Sequence, residues 1–168
     1  MHANVLRQVY FAYFHSLISY GIVFWGNSNE SSKVFRMQKR AIRVLVGKGS
    51  RESCKNHFQL LHILPLPCLY IFQCFLFVKS NPTRFFSRNT LNRYNTRNTS
   101  LLQYPIHKTS FLEKSPHYSC IAIFNNFPKC IREESSYNRS KQQAFNFLIS
   151  HCFYSVAEFL AFPCSSAT

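Results

Sequence analysis

The chain of 168 residues contains no aspartate. Its acidic residues are six glutamates: Glu30, Glu52, Glu113, Glu133, Glu134 and Glu158. Polymerases, integrases and many nucleases hold two divalent metal ions with clustered carboxylates. Glu133 and Glu134 are adjacent, and on a helix adjacent side chains point about 100° apart, which makes a poor shared metal site. The sequence therefore predicts no metal site, no catalytic residue and no enzyme activity.

Glycine-rich loops and paired cysteines are also missing. Only four glycines occur, and neither Gly-x-x-x-x-Gly-Lys-Ser/Thr nor Gly-x-Gly-x-x-Gly is present, so we expect no nucleotide cofactor and no small-molecule substrate. The seven cysteines include no Cys-x-x-Cys pair, and a zinc site that combines them with His57 or His62 lacks the usual ligand spacing. An odd number of cysteines within apolar runs predicts reduced, buried thiols in an intracellular protein of the nucleus or cytoplasm.

A long, strongly apolar run is absent as well. Residues 8–29 carry no formal charge, but tyrosine, histidine and serine place polar groups on several faces, which favours a buried helix over a membrane span. The chain is nevertheless 46% hydrophobic and 17% aromatic, enough to build a core. The apolar periodicity predicts an all-α protein, an irregular bundle of about five helices.

Positive charge is in large excess, since 20 lysines and arginines give a formal net charge of +14. This balance favours a polyanionic partner, either nucleic acid or an anionic membrane surface. Residues 33–46 have the spacing of a helix, with Ser31 or Ser32 as N-cap and Gly47 just past its end. Its predicted core arc comprises Val34, Met37, Ala41, Val44 and Leu45, widened by Phe35, Ile42 and Val46. The opposite arc and the residues after it supply the predicted nucleic-acid-binding set: Lys33, Arg36, Lys39, Arg40, Arg43, Lys48 and Arg51. A cationic face that is merely solvated remains the alternative.

The rest of the chain divides into three predicted regions: a helical domain at 1–80, a basic polar linker at 81–115 and a C-terminal helical region at 116–168. In the first, we expect a buried helix over about 3–24, a short helix around Phe58–Leu64 that ends at the prolines, and a helix over 68–78 that packs against the first helix. In the linker, Arg93, Tyr94 and Arg97 interleave cations with aromatic rings and could contact a nucleic acid, unless the loop is only solvated. In the last, we expect a helix over about 140–161.

Several of these residues recur in a known order. The run Gln38-Lys-Arg-Ala-Ile-Arg43 is preceded by Tyr10 or Tyr13, by Ser16 or Ser19, and then by Tyr20, Gly21, Trp25 and Gly26. Phe58, Leu61, Ile63, Leu64 and Leu66 follow, and later Tyr94-Asn-Thr-Arg-Asn98. The order resembles the region after the catalytic palm in reverse transcriptases of non-long-terminal-repeat retrotransposons, the jockey-like group in particular. A later family segment ending Leu-Trp-Asn-x-Leu-Pro is matched in degraded form, with Phe124 and Phe127 replacing its tryptophan and second leucine.

The resemblance implies a thumb-like and C-terminal unit of an RNA-directed DNA polymerase, which lies along the backbone of a template–primer duplex or hybrid. It implies that the palm and its catalytic aspartates are absent here, and that the missing palm is a further partner. The leading hypothesis is a non-catalytic fragment that binds nucleic acid without sequence preference. The alternative is an inactive retroelement remnant that acts, if at all, as a helical protein-interaction scaffold. Peripheral membrane attachment through the basic helix is a third, weaker hypothesis.

Overall fold

The computed structural model describes residues 3–49, 52–86, 101–106, 112 and 115–162. Of these residues 71% are helical and none forms a strand, so the all-α prediction is confirmed. The predicted number of about five helices is rough: five of the described α-helices are seven residues or longer, and five shorter ones add to them. The α-helices are α1 (Ala3–Val9), α2 (Ser16–Ser19), α3 (Ile22–Trp25), α4 (Ser31–Val46), α5 (Lys55–Leu60), α6 (Leu66–Ser80), α7 (Pro116–Asn126), α8 (Lys129–Arg132), α9 (Tyr137–His151) and α10 (Val156–Ala161).

The described residues form two compact units, each assembled from two stretches of sequence. The first unit lies within Met1–Tyr70 and Asn146–Val156, and the second within Ile71–Phe145 and Ala157–Thr168. The predicted regions 1–80, 81–115 and 116–168 stay a prediction. No helix of the described part is both long and apolar enough to cross a membrane.

The N-terminal segment is helical from α1 through a π-helical stretch, Tyr10–His15, to the end of α2, and there it breaks. Tyr20 is extended and Gly21 takes a left-handed conformation with φ of 58°, which glycine adopts without steric cost. The expected single helix over 3–24 is therefore wrong. The expected burial is wrong too, because Tyr13, Leu17, Tyr20 and Phe24 are between 71% and 86% exposed.

Helix α4 begins and ends close to the predicted residues. Glu30 occupies the N-cap without a side-chain hydrogen bond, and the hydroxyls of Ser31 and Ser32 donate to carbonyls of the preceding turn, so neither serine caps the helix. At the other end Gly47 is left-handed with φ of 67°, as predicted, and its N–H donates to the carbonyl of Val44 at 3.2 Å. The N–H of Lys48 donates to the carbonyl of Arg43 at 2.9 Å, which completes a Schellman motif.

The buried face of α4 is rotated by roughly a quarter of a turn from the predicted arc. Phe35, Gln38 and Ile42 are buried, whereas Met37 is 56% and Val44 72% exposed. The rotation has a physical cause: a polar residue, Gln38, lies at the centre of the buried face, where it hydrogen-bonds to other segments of the first unit. An arc chosen by hydrophobicity alone could not include it.

Helix α5 is shorter than predicted, and the two prolines have different roles. Leu61 caps its C-terminus, and His62 is left-handed with φ of 51°, so Ile63 and Leu64 are buried in non-helical backbone. Pro65 precedes α6, but Pro67 lies in its first turn, where the missing N–H costs nothing. Helix α6 starts two residues earlier than predicted and is buried on nearly all sides.

In the second unit, aromatic rings pack around the later part of α6, and side-chain amides fix the loop segments. Phe75 packs on Phe127 with ring centroids 4.5 Å apart. Asn125 accepts a hydrogen bond from the N–H of Leu102 at 2.8 Å and donates to its carbonyl at 3.0 Å, so this part of the predicted linker is bound to α7. The ammonium of Lys79 donates to the carbonyls of Arg132 and Glu134, and burial lowers its pKa.

The predicted helix over about 140–161 is two helices. Helix α9 runs to His151, the next residue Cys152 is left-handed with φ of 53°, and α10 begins only at Val156. The apolar periodicity continues across the break because Leu148, Cys152 and Phe159 are all buried. Periodicity alone therefore could not reveal the interruption.

The thiols largely follow the prediction. None of the six described cysteines forms a disulfide, and five are buried: Cys54, Cys68, Cys74, Cys120 and Cys152. Cys130 is the exception, since it is exposed at α8. Within the described part of the chain, no group of three or more metal-ligating side chains is placed to hold a metal ion.

Gly26 marks a close approach of backbone in the first unit. A Cβ atom at this position would lie 2.7 Å from the carbonyl oxygen of Ile22 and against the ring of Tyr70. We expect Gly26→Ala to lower the free energy of unfolding by about 1–3 kcal/mol, because a well-packed site must shift to admit the extra carbon. Chemical denaturation measures this. Gly49→Ala is the matched control, since a Cβ there meets nothing within 4 Å, and equal losses in both variants would contradict the packing at Gly26.

Candidate nucleic-acid interface

Gln38, on the buried face of the basic helix α4, fixes the orientation of that helix. Its side-chain amide donates to the hydroxyl of Tyr10 and to the carbonyl of Leu64, both at 2.9 Å, and its carbonyl oxygen accepts from the N–H of Leu66 at 2.7 Å. Gln38 is fully buried, so these bonds replace water for the whole amide group. Burial raises the pKa of Tyr10 to about 12, although the bond from Gln38 opposes the rise, so the phenol stays neutral at physiological pH.

The opposite side of α4 carries a shallow basic groove of about 540 Å³. Its lining is Arg36, Lys39, Arg40, Arg43, Val44 and Lys48. Arg36 and Arg40 are exposed, and within the described part of the chain neither forms an ion pair. Arg36, Arg40 and Arg43 lie on successive turns and span about 10 Å along the axis. The helix therefore presents a row of guanidinium groups on one side.

Lys39 is held at the edge of the groove by two aromatic rings. Its ammonium nitrogen lies 4.7 Å from the ring centroid of Phe35 and 5.8 Å from that of Tyr154. These contacts are cation–π interactions, which limit the freedom of a long side chain while leaving its charge intact. Burial is the main cause that raises the pKa of Tyr154 to about 12, and the nearby Cys54 adds to it. This ring therefore carries no phenolate that could neutralise the lysine.

Glu52 contacts two cations at the far end of the groove. The ammonium of Lys48 lies 3.4 Å from its carboxylate, and Nε of Arg43 donates to its backbone carbonyl at 3.1 Å. The ion pair is about half exposed, where such pairs contribute little to stability and are easily exchanged for another anion. Of the five cations that line the groove, Lys48 is thus paired with a carboxylate of the described residues.

Of the predicted binding set, five residues share this groove: Arg36, Lys39, Arg40, Arg43 and Lys48. Lys33 is not among the lining residues, and its ammonium pairs with Glu30 at 2.6 Å in the turn before the helix. Arg51, Arg93, Tyr94 and Arg97 lie outside the described residues. Binding of nucleic acid by any of them stays a prediction.

A concentrated row of cations with little acid nearby can attract a polyanion over several ångströms and contact successive phosphates. Contacts to phosphates do not depend on the base sequence, whereas reading base edges takes side chains inserted in a groove of the duplex. Comparison of the chain with protein-family models, with curated proteins and with solved structures found no match. The likeness to retrotransposon reverse transcriptases thus rests on the residues quoted in the sequence analysis.

Two residues that position the basic groove, Gln38 and Tyr154, were not predicted from the sequence to do so. Gln38 has a signal in the sequence, because it lies three residues after Phe35 and four before Ile42, which puts it on the same helical face as both. Tyr154 has none, since it lies more than one hundred residues further along the chain than Lys39. Only the fold brings that ring to the groove.

Proposed function

We propose that this chain is a non-catalytic nucleic-acid-binding unit that grips the phosphate backbone through the basic groove on α4. The observation that carries the proposal is the convergence of five cationic side chains, Arg36 to Lys48, on one groove with Glu52 as its acid. Arginine and lysine contacts to phosphate supply most of the affinity of sequence-indifferent binding.

The resemblance to the thumb-like and C-terminal region of a retrotransposon reverse transcriptase supports the same function and narrows the ligand. It favours a template–primer duplex or hybrid, a palm domain supplied by another part of the polypeptide or another chain, and a place in the nucleus or cytoplasm. The physical requirement is modest, since a rigid helix that carries its cations on one side needs only to lie along a backbone.

The binding itself should be weak, indifferent to sequence and steeply dependent on salt. If all five cations contact phosphates of a duplex, log K falls against log salt with a slope of about −4.5, which is about a 500-fold loss between 50 and 200 mM. Filter binding of two duplexes of unrelated sequence and one RNA–DNA hybrid at both salt concentrations measures this. Salt-insensitive binding, or a preference of more than about tenfold between the two duplexes, would contradict the proposal.

A second candidate function, a helical scaffold for protein interaction, is favoured by a different observation. Large apolar side chains of the first unit are exposed at Tyr13, Leu17, Tyr20 and Phe24, and also at Met37 and Val44. A soluble protein with neighbouring exposed apolar side chains commonly uses them to bind another molecule. Apart from Val44, which also lines the basic groove, the two functions use different residues of the same unit, and they are not exclusive.

A further inference from the structure

The N-terminal helices carry an apolar stripe on their outer side. It consists of Val5, Val9, Tyr13, Leu17, Tyr20 and Phe24, all exposed. Val5, Val9, Tyr13 and Leu17 follow one another at four-residue intervals along the helical segment Ala3–Ser19, whereas Tyr20 lies at the break and Phe24 on α3. Tyr13, Leu17, Tyr20 and Phe24 are more than two thirds exposed, so these side chains contribute little to the core of the unit.

Beside the stripe lies an apolar groove of about 280 Å³ between the N-terminal helices and α4. Val9 and Tyr13 belong to both the stripe and the groove, and Leu6 adds to the same side. Ala41, Val44 and Leu45 form the α4 side. A concave surface between two helices, lined by aliphatic and aromatic side chains, has the form that accepts an apolar helix face.

The α4 side of this apolar groove is bordered by positive charge. Val44 lines both the apolar and the basic groove, and Arg40 and Lys48 stand four residues before and after it. The two stretches of sequence that make this unit hold two acids, Glu30 and Glu52, and each already pairs with a lysine. An occupant of the apolar groove therefore meets positive charge along one edge: Arg40 forms no ion pair within the described part of the chain, and Lys48 forms a half-exposed pair with Glu52.

We propose that this groove binds an amphipathic helix whose apolar face is flanked by acidic side chains. The apolar lining selects a helix face, and the cations of α4 select carboxylates beside it, because opposite charges at an interface rim raise the association rate and disfavour wrong partners.

A second copy of the chain is a poor occupant, since two molecules of formal charge +14 repel each other. Nucleic acid is a poor occupant as well, since aliphatic side chains offer nothing to a phosphate. The proposal does not depend on nucleic-acid binding.

The test uses the full chain and a labelled designed peptide. The peptide is a helix of about 18 residues with leucine and phenylalanine at i, i+3, i+4 and i+7 spacing and glutamates beside them, and its matched control replaces every glutamate with lysine. We expect fluorescence anisotropy to give the acidic peptide at least a tenfold higher affinity. Equal affinity for the two peptides, or no binding of the acidic one, would overturn the proposal.

A pair of neutral substitutions locates the binding. Val9→Ser with Tyr13→Ser removes two exposed side chains that line the apolar groove and not the basic one, and it should lower the affinity for the acidic peptide at least tenfold. Tyr137→Ser with Leu160→Ser alters exposed apolar residues of the second unit. This control should change the affinity for the acidic peptide by no more than about twofold. Because neither pair of substitutions changes the charge, the two double variants should bind nucleic acid equally well. A failure of the peptide-binding proposal is therefore distinguishable from a failure of the proposed nucleic-acid binding. Peptide binding unaffected by the Val9 and Tyr13 substitutions would refute the site.

Two further measurements examine the other occupants. Flotation with phosphatidylcholine vesicles, with and without phosphatidylserine, should leave the chain unbound. Sedimentation equilibrium should give a monomer. Vesicle binding or a dimer that the Val9 and Tyr13 substitutions abolish would assign the groove to a membrane or to a second copy, and either outcome would overturn the proposal.

Discussion

Replacing Gln38 with methionine is expected to lower the free energy of unfolding by roughly 3–5 kcal/mol, the largest effect of any single substitution considered for this chain. Methionine has nearly the shape of glutamine, so the core keeps its volume. The hydroxyl of Tyr10, the carbonyl of Leu64 and the N–H of Leu66 each lose a bond of 2.7–2.9 Å. Each buried polar group left without a partner costs about 1–3 kcal/mol.

Urea unfolding followed by circular dichroism measures the loss, and two other substitutions calibrate it. Tyr10→Phe removes one of the three bonds together with one of the groups it would strand, so we expect a loss of about 1 kcal/mol. Gln142→Met places the same exchange on the exposed side of α9, where a change within about 0.5 kcal/mol is expected. A Gln38→Met variant as stable as the Gln142→Met control would show that the amide does not fix α4.

Reversing Arg36 and Arg40 to glutamate is expected to lower the affinity for duplex nucleic acid at least about tenfold at 0.1 M salt. Both side chains are exposed and lack ion pairs within the described part of the chain, so their reversal should leave the fold intact. The loss has two sources: two phosphate contacts disappear, and two carboxylates repel the backbone. Arg43 is left unchanged because its bond to the carbonyl of Glu52 helps to hold the following loop.

The matched control reverses Arg139 and Lys141, which are exposed on α9 in the second unit. Both double variants remove the same formal charge from the chain, so long-range attraction falls equally and only the location of the change differs. We expect the control to lose no more than about threefold. Equal losses in the two variants would mean that net charge alone drives binding, and no loss in either would mean that the row on α4 is merely solvated.

The sequence carried the outline of the basic helix but not its rotation. The spacing of Arg36, Arg40 and Arg43 placed them on one side whatever lay beneath, and Gly47 marked the end because a left-handed residue was needed there. The core face could not be chosen correctly, since Gln38 reads as polar until Tyr10 and the Leu64–Leu66 backbone are known to surround it. Residues of one helix can be placed by periodicity, whereas hydrogen bonds between distant segments cannot.

The same distinction explains the other differences. Val44 and Met37 are exposed as a direct consequence of the rotation, and the apolar composition of residues 3–24 suggested burial where Tyr13 and Leu17 instead face outward. The break at Gly21 was marked in the sequence by the glycine itself, but the break at Cys152 was not, because that left-handed residue is buried among apolar neighbours. The cation–π contact between Lys39 and Tyr154 could not be predicted either, because only the folded chain brings this ring near the lysine.

The most direct test of the central claim is the slope of log K against log salt for duplex binding, measured for the unchanged chain and for the variant with Arg36 and Arg40 reversed. Each phosphate contact contributes about −0.9 to this slope through the counterions that it releases. If the basic groove on α4 grips the backbone, the slope becomes shallower by about 2 in the variant and stays the same in the Arg139 and Lys141 control. An unchanged slope in the Arg36 and Arg40 variant would contradict the account.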